Sequence, residues 1–220
     1  GGAAIGVRFE AATDAWLADA EVRALVGGIG GGVDGCHGRA GAGGAAIGVL
    51  LRDALAPRVR GVSVRDLLGG DAHPNDNGCG GQRAPVTGAA VGIELRGTRD
   101  ARIVDSSVGG AQPADTLRGG RSASARGAAP RGGDTLGVRL SNSRANRFSG
   151  NTIEGLAPSA TSADWPYPGA PAGAATGFHL EADSYDNRID DDNRVHGERV
   201  YFFHGAVGPR IAGKRLEAAI

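Results

Sequence analysis

The segment GGAAIGV at residues 1–7 recurs letter for letter at residues 43–49. A repeat of this length constrains a fold strongly, because one unit cannot bury its own apolar face and must stack on its neighbours. Related openings follow at Gly88 (GAAVGIEL), Gly133 (GDTLGVRL) and Gly173 (GAATGFHL). Taking the glycine ahead of each short apolar pair as origin gives Gly6, Gly48, Gly92, Gly137 and Gly177, separated by 42, 44, 45 and 40 residues.

From each origin, apolar side chains return at matching offsets. They are Val7, Phe9, Leu17 and Val22; Val49, Leu51, Val59 and Val64; Ile93, Leu95, Ile103 and Val108; and Val138, Leu140, Phe148 and Ile153. The fifth unit matches after a slip of one or two residues, as Phe178, Leu180, Ile189 and Val195. Offsets of one and three place two apolar groups on one face of a strand with a polar one between them. The later apolar positions are separated by turn formers, as in SNSRANRFSGNTIEG (141–155) and DSYDNRIDDDNRVHG (183–197). Each unit therefore reads as three short strands joined by bends. Stacked in register, equivalent strands pair at about 4.8 Å. No helical period lies between them, which argues against a doubly wound α/β fold.

The G-(I/V)-x-L opening with its N-x-I-x-x-N-x-I-like tail, clearest from Gly137 to Gly155, resembles the right-handed parallel β-helix repeat of the pectate-lyase-like superfamily. Within that group it is similar to the carbohydrate-binding and sugar-hydrolase type repeats of exported bacterial proteins. The resemblance covers all five units and implies an all-β solenoid of about five coils, each carrying a long inserted glycine-rich loop. On this reading residues 1–197 are coils. Residues 198–220, where ERVYFFHGAV leaves the repeat and gathers Tyr201, Phe202 and Phe203, form a cap of the same domain.

Composition narrows the function. Lysine plus arginine and aspartate plus glutamate both number 24, so no net field draws in nucleic acid or an anionic membrane. The 40 glycines follow no Gly-X-Y period, which excludes collagen, and they cluster in Gly27–Gly44 and Gly119–Gly133, where surface loops are expected. Lys214 is the only lysine among many arginines, a bias expected of GC-rich bacterial coding. No apolar run approaches the roughly 18 residues of a membrane helix. With no methionine in the chain, we expect a processed or excised piece, with further coils or domains of the same parent protein on its N-terminal side.

Cys36 and Cys79 stand 30 and 31 residues after their origins, at equivalent points of neighbouring loops. A disulfide between them is expected, and its persistence implies a secreted or cell-envelope location. A metal site adding His37 and His73 is the alternative, although the spacing matches no compact zinc motif.

The outward positions of the first strands form two columns. One is Arg8, Leu50, Glu94, Arg139 and His179; the other is Glu10, Arg52, Arg96, Ser141 and Glu181. The resemblance implies substrate lying across a strand face of this kind. The structural alternative is that Glu10 with Arg52, and Glu94 with Arg139, are cross-strand pairs of an exposed sheet. Neither column offers two carboxylates facing across a bond or clustered aspartates beside a base, as a hydrolase or lyase needs. Asp183, Asp186, Asp190, Asp191 and Asp192 read as solvated corners rather than a calcium site. Trp165 and Tyr167, in the loop SADWPYPGAPAG (162–173), either stack on sugar rings or anchor the loop.

The sequence thus predicts a non-catalytic exported module that binds an extended polysaccharide through Glu94, Arg96, Arg139, His179, Glu181, Trp165 and Tyr167. It needs no cofactor and no metal. A lyase, hydrolase or epimerase with part of its site in missing coils is the first alternative, and a purely structural spacer the second.

Overall fold

The computed structural model describes residues 1–30, 41–72, 87–110, 112–121, 132–159, 172–181 and 183–200. Among them the chain is all-β, apart from one 3-10 turn at Pro113–Asp115. It forms three sheets, and each repeat unit contributes to all three in turn.

The first sheet pairs Ala4–Glu10, Ala46–Arg52, Ala90–Arg96, Thr135–Ser141 and Ala175–Leu180 in that order, all parallel. The second pairs Trp16–Ala18, Arg58–Arg60, Arg102–Val104, Arg147–Ser149 and Arg188–Ile189 likewise. The third begins with Glu21–Val26 on Ser63–Leu68 and is then carried by shorter strands. Registers agree with the offsets read from the sequence. Val7, Val49, Ile93, Val138 and Phe178 form one ladder, and Phe9, Leu51, Leu95, Leu140 and Leu180 the next. Leu17, Val59, Ile103, Phe148 and Ile189 line the second sheet, and Val22, Val64, Val108, Ile153 and Val195 the third.

These four ladders make one core. Leu51, Leu95, Leu140, Ile103, Phe148 and Ile153 are fully buried, and each such side chain contributes about 1.5–3 kcal/mol of transfer free energy. Phe148 and Phe178 meet edge to face, with centroids 5.6 Å apart. The origin glycines explain how three sheets close around so narrow an interior. A Cβ on Gly92 would lie 2.2 Å from Val108 Cγ1 and 2.6 Å from the Gly137 carbonyl oxygen. Only a residue without a side chain lets the first sheet rest on the β-branched ladder of the third.

The same glycine interrupts the strand's alternation. Ala46, Val49 and Leu51 face the core, whereas Ile47 and Leu50 join Val91 and Leu136 in a second apolar cluster.

The bends use left-handed backbone at equivalent points of successive units, as at Asp53 (φ 51°), Gly97 (φ 61°) and Asn142 (φ 47°), residue types that tolerate it. Asparagine does more here than turn corners. Asn146 and Asn187, and Asn151 and Asn193, are buried, and each pair is joined by side-chain hydrogen bonds of 2.9 and 2.8 Å. Their amide groups also bond the backbone of neighbouring units, as Asn151 Nδ2 does to the Ile103 carbonyl at 2.9 Å. In unit three the third-sheet strand is interrupted between Val108 and Leu117. Leu117 still stacks in register with Leu67 and Leu156, so the extra residues leave the core ladders intact.

Part of the glycine-rich sequence is structural layer rather than surface loop. The N–H of Gly28 donates to Gly2, Gly44 to Gly28, Gly70 to Gly44, Gly88 to Gly70, Gly120 to Gly88 and Gly133 to Gly120, at 2.7–3.0 Å. Segments leaving the third sheet thus alternate with segments returning to the first. A Cβ on Gly88 would lie 1.9 Å from the Gly44 carbonyl oxygen, so the packing admits no side chain. The ladder leaves the backbone at unit four, where Ser159 Oγ accepts from the Gly173 N–H at 2.8 Å. At the far end Arg194–Val195 pairs antiparallel with Glu198–Arg199, which covers an edge of the third sheet.

Candidate functional site

The five charged residues singled out on the first strands come together on one face. Strand register sets Glu94 beside Arg139 and Arg139 beside His179, with Arg96 beside Ser141. The Glu181 N–H continues the ladder by donating to the Leu140 carbonyl at 3.0 Å. The side chains then close a chain of alternating charge. Arg96 Nε donates to Glu94 Oε1 at 2.8 Å. Arg139 Nη1 lies 3.4 Å from the same oxygen. Arg139 also donates to Glu181 Oε1, from Nε at 2.9 Å and from Nη2 at 2.5 Å.

Glu94 is the unusual member. It is completely buried, and its Oε2 has no hydrogen-bond partner among the described residues. This corrects the expectation of an exposed face, since Leu50 in the same column is 4% exposed and belongs to the second apolar cluster. The cause is the pleat change at the origin glycine, which puts Ile47, Leu50, Val91 and Leu136 on one side together. The face is open only at its edge, where Arg96, His179 and Glu181 reach solvent. A buried carboxylate is costly unless paired, and Arg96 and Arg139 supply the pairing from the open side. The hydrogen bond from Arg139 holds the Glu181 carboxyl below the usual carboxylate range against the opposing effect of burial, with Ser141 and His179 adding to the lowering.

The cross-strand pairs expected from the sequence are present, since Arg52 lies 3.3 Å from Glu10 and Arg139 3.4 Å from Glu94. Both readings of this face, pairing and binding, therefore describe the same residues. Trp165, Tyr167, Cys36, Cys79, His37 and His73 lie outside the described residues, as do 201–220 of the expected cap. In the acidic run, Asp183, Asp186, Asp191 and Asp192 are exposed corners, as read from the sequence, whereas Asp190 is mostly buried and bonded to two arginines.

A second charged array escaped the sequence reading. Arg58, Arg102, Arg147 and Arg188 stand in register on the outer face of the second sheet. Their signal was available, because they follow Gly48, Gly92 and Gly137 by ten residues and Gly177 by eleven. Attention to apolar offsets alone passed over it. No protein-family model matches the chain, and no curated protein matches it either.

Proposed function

We propose that this chain is a right-handed parallel β-helix of about five coils, similar to the pectate-lyase-like superfamily. In this reading it is a non-catalytic module of the secreted or cell-envelope fraction that holds an extended polysaccharide. Three parallel sheets, each visited once per unit in register, support the β-helix, and the antiparallel turn at Glu198–Arg199 supports a C-terminal cap. The location rests on the equivalence of Cys36 and Cys79 in the repeat.

The observation that carries the binding role is the Arg96, Glu94, Arg139, Glu181 chain beside His179 at the open edge of the first sheet. Buried Glu94 does not itself touch ligand in this arrangement. It fixes two guanidiniums whose remaining N–H groups donate to sugar hydroxyls, and Glu181 and His179 add directional partners. Trp165 and Tyr167 supply the stacking surface. Sites with few polar groups and an apolar platform bind small and polymeric sugars in this way.

The orphan Glu94 oxygen favours a second reading. A buried carboxyl with one unused oxygen is the kind of group acid–base chemistry employs, and it would serve a lyase, hydrolase or epimerase. A glycan array combined with lyase and reducing-sugar assays separates the two. The binding module retains glycan without product, and Arg139→Ala and Trp165→Ala each weaken affinity severalfold. The enzyme releases product, and Glu94→Gln abolishes turnover while leaving affinity nearly intact. No glycan bound by the parent chain would refute both.

A further inference from the structure

The outer face of the second sheet presents a run of cations with little to neutralise them. Trp16, Arg58, Arg102, Arg147 and Arg188 occupy one column, each paired in register with the next. At about 4.8 Å per step the column is about 19 Å long. All five side chains are exposed, and Trp16, 70% exposed, is the most open large apolar group among the described residues. Beside this column runs a second at the bend, where Leu55, Arg99, Arg144 and Tyr185 are bridged in sequence. Arg144 stands over the Tyr185 ring at 5.8 Å and donates to its hydroxyl at 2.6 Å.

Like charges directly opposed across strands are unfavourable. Asp190 relieves the lower end, accepting from Arg147 Nε at 2.8 Å and Arg188 Nε at 2.5 Å, which leaves the terminal nitrogens of both guanidiniums without a hydrogen-bond partner among the described residues. Among the described residues, Asp105 forms an ion pair with Arg60 alone, at 3.8 Å. Asp14, Asp100 and Asp186 lie at the adjoining bends, and none is within ion-pair distance of the column. Arg58, Arg99 and Arg102 have no carboxylate partner among the described residues. An array of guanidiniums that repels itself, at regular spacing on a rigid sheet, is complementary to a linear polymer with anionic groups at a comparable interval. Guanidinium matches carboxylate and sulfate oxygens through paired N–H groups. The exposed indole at one end and Tyr185 at the other offer the flat faces that sugar rings stack upon.

We propose that the outer face of the second sheet is a binding track for a linear anionic glycan, with Arg58, Arg102, Arg147 and Arg188 each taking one carboxylate or sulfate and Trp16 stacking on a sugar ring. The track is separate from the first-sheet edge, so either assignment can fail without the other. A chain with zero formal net charge lacks the broad field that nucleic-acid binders use, and the aromatic end of the track suits a sugar rather than a phosphodiester backbone.

The test is titration calorimetry of the 220-residue chain with dextran sulfate, alginate and unmodified dextran, and with single-stranded DNA as a competing polyanion. The expected result is binding to one or both anionic glycans, weakened by salt, and none to dextran. Binding to dextran sulfate alone assigns the track to sulfate esters, and binding to alginate alone assigns it to carboxylates. The double variant Arg58→Gln with Arg102→Gln should lose roughly tenfold in affinity, at about threefold per exposed contact. Trp16→Ala should weaken binding further, while Arg23→Gln, exposed on the third sheet, leaves it unchanged. Thermal melting of each variant close to the parent's shows that the loss is not unfolding, as expected for exposed side chains. No binding to either anionic glycan, equal binding to dextran, unchanged affinity in the double variant, an equal loss in Arg23→Gln, or DNA bound as tightly as the glycans would each overturn the proposal.

Discussion

Gly92→Ala tests the packing that closes the interior. The added methyl carbon would sit 2.2 Å from Val108 Cγ1, 3.0 Å from Val108 Cγ2 and 2.6 Å from the Gly137 carbonyl oxygen. Ordinary carbon contacts begin near ~3.5 Å, so relief requires a displacement of more than about 1 Å. Val108 cannot turn away, because a β-branched side chain has few rotamers and both methyls are in the way. The carbonyl belongs to the next strand of the first sheet. Overpacking of this kind costs about 1–3 kcal/mol, and disturbing the strand ladder adds roughly 1 kcal/mol, so we expect a loss of about 3 kcal/mol. Val108→Ala alone removes two buried methyls and costs roughly 2 kcal/mol. If the two changes were independent, the double variant would lose about 5 kcal/mol; if the methyl–methyl clash dominates, it loses about 3 kcal/mol, a coupling near 2 kcal/mol. Urea unfolding followed by far-ultraviolet circular dichroism measures all three, provided the slope with denaturant stays constant. A loss below about 0.5 kcal/mol in Gly92→Ala, or an additive cycle, would refute the account of why the repeat opens on glycine.

Leu140→Asp sets an unpaired charge between Leu95 and Leu180 at a fully buried position, and should cost more than about 4 kcal/mol; a variant melting within a few degrees of the parent would contradict the strand phase. Glu181 and Asp190 are both held below the usual carboxylate range: Glu181 chiefly by Arg139, while at Asp190 burial is the largest single effect and raises the value, and Arg188 and Arg147 together outweigh it. Folded-state values lowered in this way give stability that is complete above the ordinary carboxylate values and is lost as pH falls through the folded ones. The urea midpoint should therefore drop on acidification, and Arg139→Gln should flatten the part due to Glu181. Cys36 and Cys79 should resist alkylation until reduced, as read by intact mass; two free thiols in unreduced protein would remove the basis for an exported location.

The core was legible because its signal is strictly periodic. Leu51, Leu95 and Leu140 recur at a fixed distance from a glycine, and burial follows from strand geometry alone. The outer face was misread because only the residues after each glycine were placed. The pleat change at the glycine sets Ile47, Val91 and Leu136, which precede it, on the same side as Leu50, and Leu50 and Glu94 are buried in consequence. Asn146 and Asn151 were read as corner residues, which their sequence neighbours suggest. That their amides stack inside the protein depends on Asn187 and Asn193 occupying the same positions one unit later, and so on pairs that local propensity does not weigh. The glycine segments looked like loops because an isolated Gly-Gly pair is flexible. Their packing appears only when Gly44, Gly70 and Gly88 are brought side by side.

In that glycine layer one row of six donors points the same way, from Gly133 through Gly120, Gly88, Gly70, Gly44 and Gly28 to Gly2. Aligned peptides, each carrying about 3.5 D, reinforce one another along a hydrogen-bonded row as they do along an α-helix. The layer is therefore a polar rod without being a helix. Its electropositive pole lies at Gly2 and its electronegative pole beyond Gly133, which gives this row an electrical direction along the stack of units.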